Sequence, residues 1–126
     1  MKLEKFLING EFFHVWHLKG PKAAPVFHWS HANGLNAPTY TNLLKKISKY
    51  CHVYAWDARA HGLNSNLRSP NVNNIYRQYS SDLIELIEIL YKKHSAPIIM
   101  AGHSFGATVC IKAELALKNK ISKLIL

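Results

Sequence analysis

Gly102-His103-Ser104-Phe105-Gly106 places one hydroxyl midway between two glycines. That is the G-x-S-x-G spacing of a nucleophile elbow, a tight turn that lifts a serine Oγ clear of a strand end and ahead of a helix. A side chain two residues before or after the serine would run into neighbouring backbone, which explains glycine at 102 and at 106. A helix beginning beside Phe105 aims its positive end at the reacting centre, where negative charge develops in acyl transfer. A phosphate-cradling loop would instead need G-x-G-x-x-G or a terminal G-K-[ST], and this segment has neither.

The elbow requires a strand before it and a helix after it. Ala96 to Ala101 (APIIMA) reads as a buried strand, and Gly106 to Lys118 as a helix with Val109, Cys110, Ala113 and Leu117 roughly in line. Upstream, Leu3 to Ile8 and Glu11 to Leu18 flank Asn9-Gly10, a hairpin signal. Ala24 to Trp29 is an almost unbroken apolar run, as a strand covered on both faces should be. Ser30 to Pro38 is a loop. Thr39 to Ser48 carries Tyr40, Leu43, Leu44 and Ile47 at helical spacing, and Cys51 to Trp56 is another strand. Asp57 to Asn74 shows no convincing periodic element. Ile75 to Lys93 has Leu83, Ile84, Ile87 and Leu90 on one stripe; Asp82 lies away from its centre and, with Glu85 three residues on, offers a local cap, the alternative being a helix that starts earlier. Ile121 to Leu126 begins a last strand.

Strands alternating with helices predict an α/β domain, a mostly parallel sheet with helices on both faces. Ligands in such sheets sit beyond the carboxyl ends of the strands. The loops after Trp29, Trp56 and Gly102 all fall at that edge.

Composition narrows the class. The chain has 126 residues, 48% hydrophobic and 18% charged, which fits one globular domain and argues against disorder. Sixteen basic against seven acidic residues give a net charge of +9. The aromatics lie in strands rather than among the basic residues, so a solvated lysine-rich face is expected and no nucleic-acid partner. Cys51 and Cys110 cannot form a dense disulfide framework and read as free buried thiols. No apolar run is long enough for a membrane span, and the first ten residues lack a signal-peptide pattern, so a cytoplasmic protein is expected. None of the eight histidines forms H-E-x-x-H or another compact zinc arrangement, so neither metal nor cofactor is expected.

The segment AGHSFGA, the H-A-N-G loop at His31 to Gly34 and the turn Asp57-Ala58-Arg59-Ala60-His61-Gly62 together resemble the α/β-hydrolase superfamily, in its serine esterase and lipase form. The resemblance covers the whole chain as the N-terminal half of that fold, truncated after about strand six of the order 1-2-4-3-5-6-7-8. It implies Ser104 as nucleophile and the backbone N–H groups of Asn33 and Phe105 as oxyanion donors. It also implies that His31, Gly34, Asp57, Arg59, Gly102 and Gly106 brace the loops. Ala32 and Ala60 stand where the family usually has glycine. The implied substrate is a small acyl compound: an ester, thioester or small amide.

A serine needs a general base, ordinarily a histidine held by an acid, and the family order is serine, acid, histidine. No histidine follows Ser104, and Glu114 is the only acid after it, on the outside of a helix. His103 is expected to pack beside the serine, His28 to be a satisfied core or loop-bracing group and His61 to be structural. His31 is the one earlier histidine able to approach the site. His14, His17, His52 and His94 show no acid or ligand pattern. The chain is therefore expected to be the N-terminal part of one domain, lacking the acid and histidine, and inactive alone. The other reading is a non-catalytic scaffold, or a fragment that needs a second chain to supply a missing C-terminal half. Trp29, Trp56 and Phe105 line either an acyl pocket or the core.

Overall fold

The computed structural model describes residues 1–126. Strands β1 (Lys2–Ile8) and β2 (Glu11–Leu18) meet in antiparallel register, with Ile8 opposite Glu11. Asn9 and Gly10 between them have φ of 47° and 77°, as a two-residue type I′ turn requires. The chain continues as β3 (Val26–Ser30), α1 (Thr41–Ile47), β4 (His52–Trp56), α2 (Ile75–His94), β5 (Ile98–Gly102), α3 (Phe105–Leu117) and β6 (Ile121–Ile125). The six strands form one sheet in the order β1-β2-β4-β3-β5-β6. The β2–β4 pairing is antiparallel, and the β4–β3, β3–β5 and β5–β6 pairings are parallel.

Alternation along the inner strands builds two cores. On one face Val26, Tyr54, Trp56, Ile98 and Met100 pack with Leu83, Leu86, Ile87 and Leu90 of α2 and Val109, Ala113 and Leu117 of α3. On the other face Phe27, Val53, Ala55 and Ala101 pack with Leu44 of α1. Helices therefore cover both faces, as the strand–helix alternation predicted. Helix α1 starts later than its apolar spacing suggested because a 3₁₀ turn, Ala37–Tyr40, precedes it. Asn36 caps that turn through Oδ1, which accepts the Thr39 N–H at 3.2 Å.

The segment between β4 and α2 does lack a long periodic element, and polar side chains hold it instead. Both Asp57 carboxylate oxygens accept backbone N–H groups, from Ala37 at 2.7 Å and Leu63 at 2.9 Å. Asn64 is fully buried and exchanges two hydrogen bonds with the backbone of His14 in β2.

Asp82 is not a cap. Helix α2 begins at Ile75, a full two turns earlier, and the Asp82 side chain is fully buried. It accepts from Arg59 Nε at 2.8 Å and Nη2 at 3.1 Å, and from Asn9 Nδ2 at 2.7 Å. Arg59 also pairs with Glu11 and donates to the Arg68 carbonyl. Its hydrogen bonds to Asp82, more than any other influence, push its pKa further up. One guanidinium thus pins the post-β4 turn to α2 and to the hairpin.

Candidate active site

Ser104 adopts φ 52° and ψ −113°, a conformation that a residue with a Cβ holds only under external constraint. Three backbone hydrogen bonds supply it: His103 N–H to Ser30 O at 3.1 Å, Gly106 N–H to His103 O at 2.9 Å, and Thr108 N–H to Ser104 O at 3.1 Å. The flanking glycines are needed for close approach. A Cβ on Gly102 would lie 2.6 Å from Ala107 N, and one on Gly106 would lie 2.6 Å from the His31 carbonyl oxygen. Ser104 is the N-cap of α3, yet its side chain makes no capping bond, so Oγ remains free at the carboxyl end of β5.

The loop after β3 lies alongside. His31 is buried, and both ring nitrogens are engaged. Nδ1 donates to the Ala32 carbonyl at 2.8 Å, and Nε2 accepts the Ala58 N–H at 2.9 Å. Burial lowers its pKa, against the opposing pull of the Ala32 carbonyl. A neutral imidazole with both nitrogens committed ties two loops together and has no lone pair left for a serine proton. Ala32 keeps negative φ, so its methyl fits, while Gly34 takes the left-handed conformation at φ 74°. Ala32 donates its N–H to the Tyr40 hydroxyl at 3.1 Å, and that hydroxyl donates to His103 Nδ1 at 2.9 Å. His103 is therefore exposed and bonded rather than packed, which differs from the sequence expectation.

His61 occupies the space between the two loops. Its Nδ1 donates to the Arg59 carbonyl at 2.9 Å, leaving Nε2 3.2 Å from the Asn33 side-chain amide. Its ring stacks on Phe105 at 5.9 Å and lies 4.9 Å from the His31 ring. His17 has an acid partner that the sequence did not reveal: Glu4, across the hairpin at 2.8 Å. His17 lies opposite Tyr54 in the middle of β4 and stacks on its ring at 4.2 Å, and neither His17 nor Glu4 lines the Ser104 cavity. His28 is a core group, hydrogen-bonded to Ser30 at 3.0 Å, with its pKa lowered to about 3 by complete burial. Glu114 is a partly exposed residue of α3. No group of three or more His, Cys, Asp or Glu is arranged to hold a metal ion. Cys51 and Cys110 are free and buried.

Ser104, Phe105 and Asn33 line one cavity of about 500 Å³. Its remaining wall is Ile75, Tyr76 and Tyr79 of α2 with Thr108 of α3. Neither Asn33 nor Phe105 spends its backbone N–H on another backbone group; Phe105 is the first residue of α3, where the N–H has no helical partner. Trp29 and Trp56 do not reach the cavity; Trp56 is buried in the core, stacked on Phe13. The α2 contribution was not legible in the sequence, because Ile75, Tyr76 and Tyr79 there read as the start of an ordinary helix. A larger cavity of about 740 Å³ beside Arg59 and Arg68 has no hydrophobic lining and does not include Ser104.

A free serine on a strained strand-to-helix turn, atop a mostly parallel sheet covered on both faces, defines an α/β-hydrolase. The chain belongs to the family described as "Serine aminopeptidase, S33", whose model matches residues 24–126. Among curated proteins it is similar to protein phosphatase methylesterase 1 of Kluyveromyces lactis, 28% identical over 97 residues, which cover 68% of this chain and 25% of that protein. It is also similar to the probable protein phosphatase methylesterase 1 of Caenorhabditis elegans, 24% identical over 123 residues, covering 94% and 32% respectively. The chain thus spans about a quarter to a third of the length of these relatives. Among solved structures, an N-formylmaleamic acid deformylase of Pseudomonas putida superposes with TM-score 0.82 at 21% identity, covering 98% of this chain and 46% of that one. An epoxide hydrolase of Vigna radiata gives TM-score 0.80 at 21% identity, covering 98% and 38%. These structures share the fold. No helix is long and apolar enough to cross a membrane.

Proposed function

We propose that this chain carries the nucleophile and oxyanion hole of a serine hydrolase acting on an ester, thioester or small amide. Ser104 Oγ attacks the carbonyl carbon. The carbonyl oxygen becomes an oxyanion and accepts the N–H groups of Asn33 and Phe105, with the α3 N-terminus behind them. The base that takes the Ser104 hydroxyl proton during attack returns it to the departing alcohol, thiol or amine as the intermediate collapses; the acyl group stays on Oγ until water, deprotonated by the same base, releases it as the carboxylic acid and restores the Ser104 hydroxyl. The likeness to methylesterases favours a carboxylic ester. The observation that carries this reading is the strained Ser104 turn with an uncommitted Oγ, beside two unspent backbone donors around one cavity.

His31, Gly34, Asp57 and Arg59 act here as loop braces, and Gly102 and Gly106 as the close-approach positions of the elbow. His31 is not the base, because both its nitrogens are spent. The base and its acid are supplied from outside residues 1–126, by a C-terminal half or a second chain. Hydrolysis of p-nitrophenyl esters by the chain, its Ser104→Ala variant and a version extended with a C-terminal half tests this. The expected result is weak turnover by the short chain and Ser104-dependent turnover by the extended one. An inert extended protein would favour a non-catalytic scaffold.

A further inference from the structure

Lysine is distributed unevenly between the two ends of the sheet. None of the thirteen lies in the loops that run from β3, β4 and β5 to the following helices, the loops that meet around Ser104. At least two stand just ahead of each parallel strand: Lys19 and Lys22 before β3, Lys46 and Lys49 before β4, Lys92 and Lys93 before β5, Lys118 and Lys120 before β6. Parallel pairing gathers those four entries at one end, with Val26 beside His52 and Ile98, and Ile98 beside Ile121. A five-residue strand, about 16 Å long, separates that end from the Ser104 end. Seven of the eight residues are exposed and Lys120 is half-buried. Lys93 pairs with Glu4 at 3.1 Å and Lys120 with Glu88 at 3.0 Å; the other six form no ion pair. Glu114, one turn before Lys118, is the third acid on this half, so eight lysines face three carboxylates and a formal charge of +5 remains. The other four acids are engaged at the Ser104 end: Glu11 and Asp82 by Arg59, Asp57 by the Ala37 N–H and Glu85 by the Asn9 N–H.

We infer that this lysine-rich end is a peripheral docking surface for an anionic phospholipid bilayer. Lysine in the last turn of a helix suits the helix dipole, which accounts for Lys46, Lys92 and Lys93. It does not account for Lys19 and Lys22, which no helix precedes, or for Lys49, past the end of α1. The shape fits a bilayer. No cavity opens at this end, since all three cavities of the protein are lined by residues of the Ser104 end. An acidic peptide would find no groove there, and a bilayer needs none. The kind of cation fits as well. Arg59, Arg68 and Arg77 all lie toward the Ser104 end, so the guanidinium fork that grips a fixed phosphate is absent here. Lysine ammonium groups are point charges suited to mobile lipid headgroups, which favours a lipid surface over a nucleic acid. Tyr50, 74% exposed beside Lys49, adds a ring of the amphipathic kind that sits at a membrane–water interface. Docked this way, the chain keeps the Ser104 end facing water.

Cosedimentation with lipid vesicles at neutral pH tests this without any Ser104 chemistry. The chain should bind vesicles of phosphatidylcholine with about a third phosphatidylserine, and not phosphatidylcholine alone. Raising NaCl from about 0.05 M to about 0.5 M should weaken that binding about tenfold or more, because the contact is electrostatic and screened. Lys46→Gln combined with Lys49→Gln should weaken it about tenfold or more, the loss of two charges near the surface. Lys5→Gln combined with Lys112→Gln removes the same charge from the middle of β1 and of α3, and should change binding by less than about threefold. Unchanged circular dichroism in both double variants reports intact folds. Equal binding to the two kinds of vesicle, or equal losses from the two double variants, would overturn the docking surface. A tighter complex with duplex DNA, abolished by Lys46→Gln with Lys49→Gln, would overturn it in favour of a nucleic acid.

Discussion

Asp82→Ala should be among the most damaging single changes in this protein, although Asp82 lies outside the candidate site. The carboxylate is fully buried and takes both Arg59 Nε and Nη2, and the Arg59 side chain is itself only 4% exposed. Removing one member of a buried pair leaves the other charge without compensation, at a cost of about 3–5 kcal/mol. Glu11 still holds Arg59 Nη1, so the low end, about 3 kcal/mol, is expected here. For a domain of this size that is a drop in Tm of about 12 °C. Urea titrations followed by circular dichroism measure it directly. Arg59→Leu combined with Asp82→Ala should cost clearly less than the sum of the two single changes, because neither charge is then stranded. A loss below about 1 kcal/mol for Asp82→Ala, or strict additivity in the cycle, would refute the view that this pair anchors the post-β4 turn to α2.

Ala60 has φ 63°, so Ala60→Gly should stabilise the fold by about 0.5–1 kcal/mol, the relief of left-handed strain less the entropy a glycine adds to the unfolded chain; a lower urea midpoint would contradict that. His28 is neutral in the folded core with a pKa near 3 and protonates near 6.5 when unfolded, so its contribution is complete above pH 6.5 and is lost as pH falls toward 3. Between pH 7 and pH 5 it should therefore remove about 2 kcal/mol of stability, a slope absent from His28→Leu in parallel urea titrations. Tyr40→Phe deletes the hydroxyl that links Ala32 N–H to His103, and should cost about 1 kcal/mol of stability and slow acylation of Ser104 without weakening ester binding. Single-turnover kinetics against ester concentration separate those two effects.

The architecture was legible wherever a short-range pattern reflects a covered face. Strands β3, β4 and β5 are apolar on both faces because helices cover both, and the elbow is written in five consecutive residues. Asn9-Gly10 gave the first hairpin because few residues tolerate two successive positive φ values. Long-range pairings left no such trace. Asp82 looked like a surface cap because nothing near it in sequence announces Arg59, 23 positions away. His61 was expected to be structural and is, but its particular partners, the Arg59 carbonyl, Asn33 and the Phe105 ring, come together only where the loops after β3, β4 and β5 converge. Trp29 and Trp56 stand at the edge where ligands bind, yet the strand alternation that orients their rings also keeps them out of the cavity. The cavity wall from α2 depends on how that helix packs beside α3, which the periodicity of either helix alone does not encode. Ala32 and Ala60 occupy equivalent-looking departures from glycine, but only Ala60 takes positive φ, a distinction that backbone geometry alone reveals.

The most direct test of Ser104 as nucleophile is to look for the acyl group on it. The chain and its Ser104→Ala variant are incubated with p-nitrophenyl butyrate, with added imidazole standing in for the base. Peptide mapping by mass spectrometry then locates the butyryl groups, and hydroxylamine separates esters from lysine amides. The predicted result is a hydroxylamine-labile butyryl group on the peptide carrying Ser104, absent from the variant. Its rate should exceed that of an exposed serine by about a thousandfold, since an oxyanion hole retains that much without the rest of a triad. Only hydroxylamine-stable lysine adducts, identical in the two proteins, would contradict it.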